Sequence, residues 1–415
     1  MNRRRRPFNY FKIFALVAAI AATLYFSLYI SPTIQQAMLP TPTPTRSPDS
    51  IIAEAEQALA DGKLTQGIEL YQQAVVLIPN EPKLYIEMAK GSMWLGDPAK
   101  AQTEAENALL LNPNNSTSHA VRGWALSSQG NYLDAESSLK RALEIDPNNA
   151  LAHSYYAEML TDIYLSGNGA LDTIDLMREE SRVALSLGPG MFETHRARGY
   201  VLEATANYEE ALSEYESAAA INNKIPDIHI SLGRIYRIME VYDKAVNSFT
   251  IASQLNPNDP TPLLLISRVY YTIGEFGKAE QYALQAVTIL PTDPNLRGNL
   301  GVTYYKNQKY ESAVEELVLV VNGGQDDSGN LVNSLALTGD SIRIPEYYYT
   351  YGLALVRTGN CGEALPIFSR IIDTVSAADE ISLYNANVGI QMCAEQLNIT
   401  PTVSAEPTVE ITPTP

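Results

Sequence analysis

Proline recurs at Pro79, Pro113, Pro147, Pro189, Pro257 and Pro291, at intervals of 34, 34, 42, 68 and 34 residues. The interval of 68 is two periods. Alanines at Ala74, Ala108, Ala142, Ala184, Ala218, Ala252 and Ala286 keep the same register and carry the same single 42. A third series, Gly67, Ala101, Ala135, Ala211, Ala245, Ala279, Ala313 and Ala364, repeats the step of 34 within each block. Each period holds two stretches with the three-and-four spacing of an apolar helical face, such as Ile235 and Tyr236 followed by Phe249 and Ala252. Small residues fall where helix axes must approach to about 8 to 10 Å. Tyr132, Tyr208, Tyr242, Phe276 and Tyr310 fill the space between. Proline, as in Asn112-Pro113-Asn114, Asp146-Pro147-Asn148 and Asn256-Pro257-Asn258, ends one unit and turns the chain into the next.

This pattern resembles the tetratricopeptide repeat (TPR) family, whose helix-turn-helix unit has a 34-residue period. Clear copies are Ser116 to Asn149, with Gly123, Gly130, Tyr132, Ala135, Ala142 and Pro147, and Pro226 to Asp259, with Leu232, Gly233, Tyr236, Tyr242, Ala245, Phe249, Ala252 and Pro257. Weaker copies start near Pro48, Pro82, Ala150, Phe192, Pro260, Pro294 and Pro345, giving about nine units across Pro48 to Ala378. Eight extra residues around Ser166 to Asp172 are expected to lengthen one turn. Seventeen more fall in Asn322 to Ile344, where Gly323-Gly324 and Asp326-Asp327-Ser328-Gly329 read as a mobile loop. Ile381 to Leu397 reads as one further helix covering the open end of the stack. The expected fold is an all-α, right-handed α-solenoid of about nine units with a C-terminal capping helix, preceded by one transmembrane helix.

Ile13 to Ile30 is eighteen residues without a charge, about 27 Å as a helix and close to the thickness of a bilayer's hydrocarbon core. Arg3, Arg4, Arg5 and Arg6 precede it, and nothing charged follows before Arg46. The positive-inside bias then places the N-terminus in the cytoplasm and the repeats outside. Ser27 to Gln35 has no Ala-x-Ala pattern, so the segment reads as an uncleaved signal anchor. The organisation expected is a basic cytoplasmic stretch over 1–12, the anchor over 13–30, a Pro/Thr-rich linker over 31–47, the solenoid over 48–398 and a disordered Pro/Thr-rich tail over 399–415.

The net charge of −18 repels phosphate backbones, and without the first thirty residues 24 basic face 47 acidic residues. Nucleic acid is therefore not an expected partner. Two cysteines and four histidines are too few for zinc or iron–sulfur ligand sets, and no metal or cofactor is expected. His119, His153, His195 and His229 share the fourth repeat position. Units stacked about 8 to 10 Å apart hold such a ladder too far apart to chelate, so the histidines read as packing residues. Cys361 and Cys393 would meet if the last helix packs as the next unit's first helix, forming a disulfide in an exported domain.

Sequence motifs for a phosphate loop, a serine-nucleophile elbow or a His-x-x-Glu site are lacking, and the chain reads as no enzyme. The resemblance implies that first helices line a concave face. Their fifth, ninth and twelfth positions here give Arg196, Tyr200, Arg234, Arg237, Arg268, Tyr271 and Tyr305, with Glu158 and Glu203 interspersed. Guanidinium groups suit carboxylates and tyrosines supply rigid contact area. The family's carboxylate clamp is matched at Asn299 alone. The expected function is a non-catalytic, membrane-anchored scaffold or adaptor that binds an exported protein or acidic peptide segment. The alternative is a cell-envelope assembly factor that binds a glycan or cell-wall fragment through the same tyrosines.

Overall fold

The computed structural model describes residues 10–30, 46–338 and 343–397. The basic stretch over 1–9, the linker over 31–45 and the tail from 398 lie outside the described residues. Two compact bodies divide the chain after Ile51, four residues into the helix that starts at Pro48. In the first, α1 (Tyr10–Tyr25) continues as one π-helical turn, Phe26–Ile30. The helical segment is long and apolar enough to cross a membrane and no residue of it is buried. It starts three residues earlier than expected, because a lysine at position 12 is a good helix former and does not end the element. The Thr23 hydroxyl donates within the helix to the carbonyls of Ala19 (3.1 Å) and Ile20 (2.9 Å), so this polar group is satisfied without water.

The second body carries helix pairs in tandem. They are α2 and α3 (Pro48–Ala60, Leu64–Leu77), α4 and α5 (Pro82–Trp94, Pro98–Leu111), and α6 and α7 (Ser116–Ser128, Tyr132–Ile145). Next come α8 and α9 (Ala150–Leu165, Thr173–Leu187), α10 and α11 (Phe192–Ala204, Tyr208–Ile221), and α12 and α13 (Pro226–Ile238, Tyr242–Leu255). The last three are α14 and α15 (Thr261–Thr272, Phe276–Ile289), α16 and α17 (Pro294–Lys306, Tyr310–Asn322), and α18 and α19 (Ile344–Arg357, Cys361–Thr374). The final helix, α20 (Glu380–Gln396), packs against both α18 and α19 and covers the end of the stack. We number the pairs as units 1 to 9.

The starts of first helices are set locally. Asn115 accepts from the Ser118 amide (2.9 Å) and Asn149 from the Ala152 amide (3.1 Å), while proline opens α4, α12 and α16. Within a unit, close approach rests on glycine. A Cβ on Gly199 would lie 2.6 Å from the Tyr215 ring and one on Gly233 2.4 Å from the Phe249 ring, and both rings are fully buried.

Between units, the histidine position does structural work. His119, His153 and His195 each place Nε2 3.0 Å from the carbonyl six residues earlier, and His229 does so at 2.9 Å. Tyr85 and Arg297 occupy the same repeat position and donate to Pro79 (3.2 Å) and Pro291 (2.7 Å). Three chemically different side chains thus satisfy one inter-unit turn carbonyl. His153 also faces Glu180 through Nδ1 (2.5 Å). Burial pulls its pKa down, but the Glu180 and Pro147 acceptors outweigh that and leave it raised.

The segment after α17 differs from the mobile loop expected there. Gly324–Gln325 and Leu331–Val332 form a two-stranded antiparallel hairpin. Asp326 accepts from the amides of Ser328 (3.0 Å) and Asn330 (2.8 Å) and pairs with the buried Arg297. Val332 and Leu337 are buried, so the segment is held by a charge and by apolar contacts. Cys361 and Cys393 are joined in a disulfide that ties α19 to α20, with Cα atoms 5.5 Å apart.

Candidate functional site

The first helices of units 2 to 6 converge. Lys90 on α4 pairs with Glu193 on α10 (3.3 Å), and the Trp94 ring meets the Phe192 ring edge-on at 6.4 Å. These contacts span about a hundred residues, so the inner face here is a narrow, lined space and not an open trough. Between α6, α8, α10 and α12 lies a cavity of about 210 Å³, lined by Trp124, Glu158, Asp162, Arg196, Asp227 and Arg234 among others.

Arg196, only 9% exposed, is its centre. Its Nη2 donates to Glu158 Oε2 (2.5 Å), its Nη1 donates to Asp227 Oδ2 (2.8 Å), and its guanidinium lies 4.9 Å from the Trp124 ring centre. Burial would lower the Arg196 pKa, but Glu158 and Asp227 offset it and leave the group firmly charged. Burial pushes Glu158 up to about 8, with Arg196 pulling against it. Arg234 binds both oxygens of Glu203 (3.0 Å each), and Glu203 also accepts from the Tyr215 hydroxyl (2.8 Å). The Tyr200 hydroxyl donates to Asp162 (2.7 Å), and burial followed by the Asp162 charge drives the phenol far above its ordinary range.

The other expected residues lie in a second region. Arg237 and Arg268 are partly buried, and the Nε of each is enclosed with no hydrogen-bond partner. Burial and then the Arg343 charge lower the Arg268 pKa, and Arg237 adds to the repulsion. Tyr271 packs edge-on to Phe276 (5.7 Å) beneath the Lys306 ammonium (5.9 Å). Burial and the charge of Glu346 push Tyr271 up to about 12. Tyr305 packs against Tyr310 at 5.5 Å. Asn299 is buried and donates to Ser267 (2.9 Å), so it faces another helix and not a ligand.

The seven expected inner-face residues therefore separate into two sets. Arg196, Tyr200 and Arg234 are committed to carboxylates, whereas Arg237 and Arg268 are not. Sequence reasoning named Glu158 and Glu203 but missed Trp124, Asp162 and Asp227. A usable signal exists: Arg196 with Asp227 and Arg234 with Glu203 are both 31 residues apart, one period less one helical turn. Arg268 follows Arg237 by the same 31 residues, so the offset that elsewhere brings a carboxylate here brings a second arginine. Among the described residues, every buried polar side-chain atom without a hydrogen-bond partner belongs to a first helix: Ser92, Trp94, Ser118, Tyr155, Glu158, Arg196, Arg237 and Arg268. No group of three or more His, Cys, Asp or Glu side chains among the described residues is placed to hold a metal ion.

A tetratricopeptide repeat family model matches residues 93–150. The structure of a human IFIT1 dimer with m7Gppp-AAAA superposes with a TM-score of 0.52 at 16% identity, covering 88% of this chain and 92% of that one. An IFIT1 monomeric mutant with Gppp-AAAA gives 0.54 at 16% identity over 84% and 83%. PilF of Pseudomonas aeruginosa gives 0.37 at 18% identity over 55% of this chain and 96% of that one, a score that adds nothing to the fold assignment. At these identities the likeness is one of fold. A comparison with curated protein sequences returns no match.

Proposed function

We propose, from the premise that this chain is a tetratricopeptide-repeat protein, that it is a non-catalytic scaffold, anchored by α1, which holds a protein partner outside the membrane on its inner face. The observation that carries this reading is the distribution of unpartnered buried polar atoms, which fall on first helices alone among the described residues. Buried polar groups in folded proteins are ordinarily bonded, and of these Arg237 and Arg268 are partly exposed guanidiniums without a carboxylate partner among the described residues, which suits them to an acidic ligand. Arg237 and Arg268, with Tyr271 and Tyr305 nearby in the stack, are the residues assigned to an acidic segment of that partner. The four arginines before α1 and the Cys361–Cys393 bridge support an exported repeat domain. The charge of −18 supports a protein partner over nucleic acid.

The test is site-specific photocrosslinking of the full chain in its native membrane, with the reactive side chain at Tyr271, at Tyr305 or at Leu133, which is exposed on a second helix. One discrete protein adduct at Tyr271 and Tyr305, absent at Leu133 and lost in Arg237→Glu/Arg268→Glu, is the expected result. Adducts confined to Leu133, or displacement of the inner-face adduct by a 5′-triphosphate oligonucleotide, would overturn the reading.

A further inference from the structure

We propose that the cavity lined by Trp124, Glu158, Asp162 and Asp227 takes a primary ammonium group, either a lysine side chain of a protein or a free small amine. This assignment is separate from the acidic-segment reading, because Arg237 and Arg268 are not among the residues that line the cavity.

The charge count points to a cation. Three carboxyl groups, Glu158, Asp162 and Asp227, face two guanidiniums, Arg196 and Arg234, and with burial holding Glu158 protonated the two aspartates and Glu203 still exceed the guanidiniums by one. Arg234 is claimed by a fourth carboxylate, Glu203, through both of its oxygens. Arg196 is divided between Glu158 and Asp227. One guanidinium thus serves two carboxylates, and Asp162 has only the neutral donors Tyr200 (2.7 Å) and Ser127 (3.4 Å).

The hydrogen-bond count agrees. Glu158 is 8% exposed, and its Oε1 has no donor although Oε2 is bonded to Arg196. A buried carboxyl oxygen left without a donor is costly, and a cation bringing several N–H donors relieves it and favours the ionised carboxylate. An ammonium brings three. A second guanidinium is a poorer fit, since the Trp124 face that would stack it already carries Arg196. A cavity of about 210 Å³ accommodates the four-carbon stem of lysine but not a folded segment. Asp227, whose side chain is 40% exposed, offers the first carboxylate an entering cation meets.

The chain has two tryptophans, Trp124 in this cavity and Trp94 in the adjoining one, so intrinsic fluorescence reports occupancy directly. The experiment titrates the full-length protein in nanodiscs with butylamine and with acetyl-Gly-Lys-Gly-amide. The uncharged counterparts are N-butylacetamide and the same tripeptide acetylated on the lysine nitrogen. A saturable change with the charged probes is expected, weakened about tenfold or more in Glu158→Gln and in Asp162→Asn and unaltered in Glu144→Gln, an exposed carboxylate on α7. Asp162→Asn keeps an acceptor for Tyr200, so it tests the charge should Glu158→Gln fail to fold. Binding of both charged probes assigns a lysine side chain, and binding of butylamine alone assigns a free amine. Equal binding of the uncharged counterparts, no saturable response to either charged probe, or wild-type affinity in Asp162→Asn would overturn the proposal.

Discussion

The two parts of the inner face use similar residues to opposite ends. In units 3 to 6 each arginine that lines the cavity meets a carboxylate, and carboxylates are left over. Around Arg268 the nearest charges are of like sign: Arg343 and Arg237 repel it, and its hydrogen-bond partner is the neutral Tyr347 hydroxyl. The difference comes from what stands one period less one turn away: Asp227 for Arg196, Glu203 for Arg234, and another arginine for Arg268. Paired, buried charges hold a structure in place, whereas unpaired ones are available to a ligand. The first region is therefore framework around a small acidic cavity, and in the second Arg237 and Arg268 stand without a carboxylate partner among the described residues.

The largest expected effect breaks the first region. Arg196→Ala leaves Glu158 and Asp227 without their shared cation and should cost about 3–5 kcal/mol, read as a lowered midpoint in denaturant unfolding. Somewhat smaller is the cost of reducing the Cys361–Cys393 bridge. Its 32-residue interval is worth about 3–4 kcal/mol in the chain-entropy model. Because repeat stacks lose stability locally, amide exchange should quicken in α19 and α20 while α6 to α10 stay protected.

Third in size is a pH effect. The Glu158 carboxyl is raised to about 8 by burial, so its contribution to stability is complete below the ordinary carboxylate range and is lost as pH rises through about 8. The melting temperature should fall between pH 5 and 8.5, and Glu158→Gln should flatten that fall. Asp162 is raised too, chiefly by burial, and acts in the same direction. The smallest effect belongs to the second region: Arg268→Ala should cost about 1 kcal/mol or less, because removal of a repelled charge offsets the loss of its hydrogen bond to Tyr347. A loss as large as that of Arg196→Ala would erase the distinction between the regions.

Much of the fold was legible because the period is a local property. Each proline, small residue and large apolar residue recurs in a fixed register, and the helix pairs follow it from Pro48 to Thr374. The curvature of the stack was not legible. It depends on small rotations between units, and only the structure shows Trp94 beside Phe192. Arg196, Tyr200 and Arg234 come together around one cavity, but their partners lie on neighbouring units at 31 or 38 residues. Composition by position does not reveal such pairs unless the offset of one period less one turn is applied. The insertion after α17 was read from its local Gly-Gly and Asp-Asp-Ser-Gly runs, and the buried Arg297 that holds Asp326 lies 29 residues upstream.

The most direct measurement of the division is a paired titration of the full-length protein in nanodiscs with a lysine tripeptide and a Glu-rich peptide, in wild type, Asp162→Asn and Arg237→Ala/Arg268→Ala. The account predicts that Asp162→Asn weakens the lysine peptide alone and that the double arginine variant weakens the acidic peptide alone. Loss of both peptides in either variant, or of neither in both, would contradict it.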